Sequence, residues 1–177
     1  MLFRSTPYPT LFPYTTLFRS PRPELTGSSE EPLSLDGEYN RLFVGVGKPA
    51  VCMWESVYAT GNASLFQENT LAVRRIYERF GLQSRDYPRV ADDHLAIELA
   101  FMRELALRAM QGQAAERNEV LAAQLDFIEK HLGTWVGSFA IQVNEQDRTG
   151  HYRNYASLLD DFIELDREVL SLLTAKN

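Results

Sequence analysis

Beyond residue 37 the apolar residues recur at spacings of three and four, and no segment alternates convincingly with a period of two. The first spacing lines one face of an α-helix, whereas the second would mark a half-buried strand. Leu121, Leu125, Ile128 and Leu132 stand at i, i+4, i+7 and i+11, which predicts a helix over about 114–132 broken by Gly133. Leu158, Phe162, Leu165, Val169 and Leu172 form one stripe of a helix over about 151–173, with Asp160, Asp161, Glu164 and Glu168 off it. Leu71, Val73, Ile76, Tyr77 and Phe80 predict another helix, with Thr70 as its N-cap and Gly81 as its stop. Asp92 and Asp93 open the most apolar stretch, from Leu95 to Met110, where acids favour the helix dipole. Few polar positions interrupt that stretch, so it belongs in the middle of the fold. Two shorter helices complete the pattern, one from Glu38 to Val44 and one carrying Trp135, Phe139, Ile141 and Val143 behind a Thr134 cap. Gly45 opens a loop that passes Pro49, which stops any helix before it, and runs to about Asn69. The fold class is all-α, with about six helices after residue 37.

The N-terminal part reads differently. Pro7-Tyr8-Pro9-Thr10-Leu11-Phe12 is followed at once by Pro13-Tyr14-Thr15-Thr16-Leu17-Phe18, and Leu2-Phe3-Arg4-Ser5 recurs as Leu17-Phe18-Arg19-Ser20. The prolines forbid a helix, and one short aromatic segment cannot bury itself. The tract resembles translated sequencing adapters, so residues 1–20 are expected to be non-native; a Pro-rich tail awaiting a groove is the other reading. Pro21, Pro23, Gly27, Pro32 and Gly37 give the next stretch the composition of a linker. The expected division is a non-native or disordered leader and linker over 1–37 and a helical domain over 38–177.

Composition narrows the function classes. Apolar residues at 45% and charged residues at 24% are ordinary for a globular domain. A net charge of −6 disfavours a nucleic-acid binder, which needs a basic stripe, and suits a partner with positive charge. The same acidity is equally what solubility alone would ask. One cysteine, Cys52, excludes a disulfide within the chain and fits a reducing compartment. No run approaches the ~20 apolar residues of a membrane span. The proline-cut N-terminus makes no secretory h-region. A cytoplasmic protein without stable membrane insertion is expected.

No catalytic constellation emerges, and neither a metal nor a cofactor is expected. His94, His131 and His151 lie in no zinc-ligand spacing. Gly45-Val46-Gly47-Lys48 looks faintly like a phosphate loop, but position 42 is Leu and position 49 is Pro where the motif needs Gly and Ser or Thr. Cys52 reads as a packed thiol. Asp92-Asp93-His94 is the most suggestive polar cluster: a carboxylate can orient an imidazole and raise its pKa. Equally, the two aspartates could cap a helix and leave His94 solvated. Trp54, Tyr58 and Phe66, in the long loop, could anchor a partner or plug the loop onto its own core.

Taken as an ordered set, the motifs say more. Glu38-Tyr39-Asn40-Arg41-Leu42-Phe43-Val44-Gly45, then Trp54-Glu55-Ser56-Val57-Tyr58, Leu65-Phe66, Thr70-Leu71-Ala72-Val73-Arg74, Asp92-Asp93-His94-Leu95 and His131-Leu132-x-x-Trp135-x-x-x-Phe139 resemble the motif series of the TorD/DmsD/NarJ-type redox-enzyme maturation chaperones. The resemblance covers about residues 38–173. It implies an all-α TorD-like bundle, here expected to lack the family's N-terminal helices and so to expose apolar faces, above all along the Leu95–Met110 helix. It implies no enzyme but a cytosolic chaperone, one that binds the twin-arginine signal peptide or the apo-protein of a DMSO-reductase-type molybdoenzyme until the cofactor is inserted. Domain-swapped dimers in the family make a homodimer a further expectation. Peptide-binding roles carry over to Trp54, Asp93 and His94, and after them to Tyr58 and Asp92. Two departures stand out: Val90-Ala91-Asp92 where the family commonly has Glu-Pro before the Asp-His pair, and Gly45-Val46-Gly47 where it often has Gly-Pro-Gly. On this reading Asp92, Asp93 and Glu55 would pair with the two guanidinium groups, while Trp54 and Tyr58 line the apolar part. A weak nucleotide-binding protein and a purely structural helical adaptor are the competing readings.

Overall fold

A computed structural model describes residues 34–45, 48–61, 68–85 and 87–175, with the backbone of Thr10 and Leu11. The remainder of the repeat and linker, Val46, Gly47 and the Leu65-Phe66 motif lie outside the described residues. The architecture is all-α. In chain order come α1 (Leu35–Tyr39), a π-turn (Asn40–Val44), α2 (Glu55–Thr60), α3 (Glu68–Arg79), α4 (Leu95–Gln111), α5 (Ala114–Phe127), a second π-turn (Ile128–Leu132), α6 (Gly133–Gln146) and α7 (His151–Thr174). The strand pairing among the described residues is one short parallel ladder, β1 (Thr10–Leu11) against β2 (Gln83–Ser84).

Several boundaries differ from the sequence expectation, each for a physical reason. Helix α1 starts at Leu35 rather than Glu38, because the Ser34 hydroxyl accepts the Gly37 N–H and caps it. Helix α2 lies inside the expected loop. Helix α3 begins at Glu68, so Thr70 sits within it, and its hydroxyl donates to Asp93 instead of capping. Gly133 does not break the chain of helices; α5, the π-turn and α6 follow without interruption. A Cβ at Gly133 would lie 2.8 Å from the Ile128 carbonyl oxygen, so the glycine serves the tight π-turn. Thr134 likewise caps nothing, since its hydroxyl donates back to His131 O at 2.7 Å.

Helix α4 occupies the centre, as its composition predicts: Leu95, Ile97, Phe101, Met102, Leu105 and Ala109 are buried. Phe101 meets Tyr77 of α3 at 4.7 Å and Phe127 of α5 at 4.9 Å, ring centre to ring centre. Trp135 and Phe139 of α6 extend the core toward Phe43. The apolar face expected to stand exposed along α4 is therefore covered, apart from Met110 near its end. The exposed face is on α7 instead. That helix buries only Ala156, Ile163 and Leu170, a seven-residue repeat, while Leu158, Phe162, Leu165, Val169 and Leu172 face outward. At the start of α7, Asp147 accepts the Thr149 and Arg153 backbone N–H groups, and these bonds hold its carboxyl below the usual range against the opposing push of burial.

Candidate functional site at the Trp54–His94 bridge

Two short segments meet at the starts of α2 and α4. Leu95 N–H donates to Met53 O at 2.9 Å and Glu55 N–H to Asp93 O at 3.0 Å, forming an isolated antiparallel bridge between Trp54 and His94. Their rings meet edge to face at 5.0 Å. The bridge fixes the backbone on both sides of His94.

Asp93 is fully buried. One carboxylate oxygen accepts the Ser56 N–H at 2.9 Å and the other the Thr70 hydroxyl at 2.7 Å. It is thus the N-terminal cap of α2, supplied from 37 residues away. His94, not an aspartate, caps α4: its Nδ1 accepts the Ala96 N–H at 3.1 Å. That role needs an unprotonated Nδ1. Burial lowers the His94 pKa to about 4, with Asp93 pulling weakly the other way, so the imidazole is neutral and the cap is intact near neutral pH.

Asp92 is also buried, and Arg74 of α3 donates to its Oδ2 at 2.6 Å. Burial pushes the Asp92 carboxyl up and Arg74 pulls it down. The Arg74 guanidinium stacks 4.7 Å from the Tyr87 ring centre. Asp93 and Glu55 do not stand ready to receive foreign guanidinium groups, contrary to the sequence expectation. Asp93 and Glu55 are sequestered by partners from their own chain, and Asp92 already holds the chain's own arginine.

Trp54 adjoins the helix rather than hanging in a loop, and its Nε1 is buried without an acceptor among the described residues. Tyr58 lies one turn along α2. Its hydroxyl donates to Cys52 O at 2.8 Å, near Gln142 Oε1 at 3.1 Å, and its ring stacks on Trp135 at 5.2 Å. Burial raises the Tyr58 pKa, so it remains a donor. Trp54, Asp92, Asp93 and His94 are therefore one assembly; Tyr58 joins it only through α2, by plugging onto α6.

Beneath the bridge lies a buried polar layer that the sequence reading missed. Glu98, on the core face of α4, accepts the Trp135 Nε1–H at 3.2 Å. Its carboxyl is held well above the ordinary range, first by burial and then by the Glu55 carboxylate. Glu55 in turn faces His131 Nδ1 at 3.0 and 3.1 Å and accepts from Asn69 Nδ2 at 3.0 Å. The signal was present: Glu98 is an acid on the stripe of Leu95, Phe101, Met102 and Leu105. A charge on an apolar stripe marks a paired or protonated group.

Among the described residues, no three or more His, Cys, Asp or Glu side chains cluster as metal ligands, and no helix is long and apolar enough to cross a membrane. The arrangement holds backbone and rings in place and presents no activated nucleophile.

Residues 25–140 match the family described as nitrate reductase delta subunit. The chain belongs to that family. Curated relatives agree. It is 31% identical to the chaperone protein TorD of Vibrio cholerae serotype O1 (El Tor Inaba N16961) over 150 residues, 84% of this chain and 68% of that protein. With the chaperone protein TorD of Photobacterium profundum the identity is 29% over 154 residues, 86% of this chain and 71% of the relative. That of Vibrio parahaemolyticus is 27% identical over 147 residues. No solved structure matches. Family membership sets the chain among chaperones rather than enzymes, in line with the motif resemblance.

Proposed function

We propose that the chain is a cytoplasmic maturation chaperone for a DMSO-reductase-type molybdoenzyme, binding the twin-arginine signal peptide or the apo-protein and holding it until cofactor insertion. The observation that carries this reading is the family match over residues 25–140, joined to relatives that are named chaperones. The Trp54–His94 bridge is the proposed recognition element. Within it Trp54 and His94 offer an aromatic edge, Asp92 an arginine-binding carboxylate, Asp93 the fixed backbone, and Tyr58 the support of α2 on α6.

The Arg74–Asp92 pair supplies a mechanism. A guanidinium already fits the Asp92 carboxylate, in the charge-assisted geometry that an incoming arginine would need. A signal-peptide arginine would exchange with Arg74 and leave the buried carboxylate paired throughout, avoiding the penalty of an unpaired buried charge. Release needs no chemistry, only the reverse exchange. A labelled twin-arginine peptide titrated against a twin-lysine control tests the reading. A preference of tenfold or more, about 1.4 kcal/mol, is expected. Equal affinities for the two peptides would remove the proposal, as would full selectivity in folded Trp54→Ala and Asp92→Asn variants for the site.

A further inference from the structure

The outward face of α7 has the spacing of a helix-pairing seam. Tyr155, Leu158, Phe162, Leu165, Val169 and Leu172 follow one another at intervals of 3, 4, 3, 4 and 3. All are open to solvent, Leu158 at 63%, Phe162 at 54%, Leu165 at 58% and Leu172 at 64%. An alternating three–four repeat over 18 residues is the seam that two helices bury against each other, and it runs about 25 Å. An exposed apolar strip of this size on a soluble protein marks an interaction surface.

Charge selects the occupant. The positions flanking the seam on its outer side are Asp161 and Glu168, with Glu164 beyond them, all exposed. Glu164 has Arg167 at 2.9 Å, while Asp161 and Glu168 make no salt bridge among the described residues. Asp160, on the same helix, is pushed up by burial and then by Asp161 and Glu164. A second copy of this chain fits this flank badly. Antiparallel pairing would set the Asp161 flank against itself, and parallel pairing would set it against Asp166; like charges so placed cost affinity. A helix bearing Lys or Arg beside its own apolar stripe relieves the repulsion and fills the seam.

We propose that the Tyr155–Leu172 face of α7 is a docking surface for an amphipathic helix of a second protein, one whose apolar stripe is flanked by lysine or arginine. The surface is separate from the Trp54–His94 bridge and does not depend on what that bridge binds.

The probe is a fluorescein-labelled synthetic helix of about 20 residues, with leucine at three–four spacing and lysine on the flank. Its control carries glutamate in place of lysine. Titrated by anisotropy against the full chain, the lysine probe should bind at least tenfold more tightly than the control. Leu158→Asp with Leu165→Asp should weaken it at least tenfold, and Asp161→Lys with Glu168→Lys should reverse the preference between the probes. A benzophenone-bearing lysine probe, crosslinked to the unaltered chain, should map to α7 and so serves even where a variant folds poorly. Crosslinks elsewhere would overturn the proposal, and so would an undiminished affinity in both folded variants. A dimer seen by sedimentation and dispersed by Leu158→Asp with Leu165→Asp would overturn it in favour of self-association.

Discussion

The layer under the Trp54–His94 bridge and the outer face of α7 carry opposite departures from ordinary burial. Under the bridge, Glu55, Asp92, Asp93 and Glu98 are at most 2% exposed, in a region where a core is normally apolar. On α7, Phe162 and five aliphatic side chains face water where a surface is normally polar. The buried layer is largely partnered, although Trp54 Nε1, Asp92 Oδ1 and Glu98 Oε1 have no hydrogen-bond partner among the described residues. Each buried acid has an internal partner: Ser56 and Thr70 for Asp93, Arg74 for Asp92, His131 and Asn69 for Glu55, Trp135 for Glu98. The α7 face has none among the described residues. Polarity in the wrong place is stable once paired, whereas apolar surface in the wrong place remains a demand for a partner.

The largest loss of stability is expected at Asp93. Asp93→Ala leaves the Ser56 N–H and the Thr70 hydroxyl buried and unpaired and takes the cap from α2. A loss of about 3 kcal/mol or more is expected, since each bond to a charged group is worth ~1.5–3 kcal/mol. Urea unfolding measures it; a loss under about 1 kcal/mol would show that Asp93 is not the strut the distances describe. For the same reason a weaker peptide affinity in Asp93→Ala reports on folding before it reports on recognition.

Helix α7 offers the next test within one element. Ile163 faces the core and Leu165, two positions on, faces water. Ile163→Ala should cost about 2–4 kcal/mol through the cavity it leaves. Leu165→Ala should cost no more than ~0.5 kcal/mol. Equal losses would mean that the α7 face is already covered in solution.

The all-α class was legible because helical spacing persists from α3 to α7, and α4 was placed at the centre by its composition alone. The short helix α2 was not legible, since its cap arrives from Asp93 across the fold and no local residue announces it. The α7 stripe was legible as a stripe but not as exposed. Periodicity identifies an apolar face without saying what meets it, and Ala156, Ile163 and Leu170 make a narrower repeat that is harder to see. Trp54, Asp92, Asp93 and His94 were legible as a set through their motif order. That the carboxylates point inward was not, because a cap and a ligand-binding acid are written with the same residue. Asp92-Asp93-His94 combines all three cases: one ion-pair partner, one cap for α2 and one cap for α4.

His94 makes the buried layer sensitive to pH. Its folded pKa, lowered to about 4 from an ordinary 6.5, means that the unfolded chain binds the proton first. Stability from this group is therefore full above pH 6.5 and is lost as pH falls toward 4. His94→Asn keeps a capping oxygen but cannot titrate, so the variant should lack this part of the acid loss. Urea midpoints measured at several pH values decide it; parallel curves for the two proteins would mean that His94 titrates normally.

Glu98 gives an effect of the opposite sign. Its folded pKa is raised by burial and by Glu55, so the folded chain keeps a proton that the unfolded chain releases above the ordinary carboxyl range, about 4.3. The stability it contributes is present at low pH and is lost as pH rises through the raised value. Glu98→Gln preserves the acceptor for Trp135 and needs no proton. The variant should match the natural chain in mild acid and gain on it steadily toward pH 8, with little change in far-UV circular dichroism. If Glu98→Gln instead lost stability with rising pH as steeply as the natural chain, Glu98 would not be the group that holds the proton.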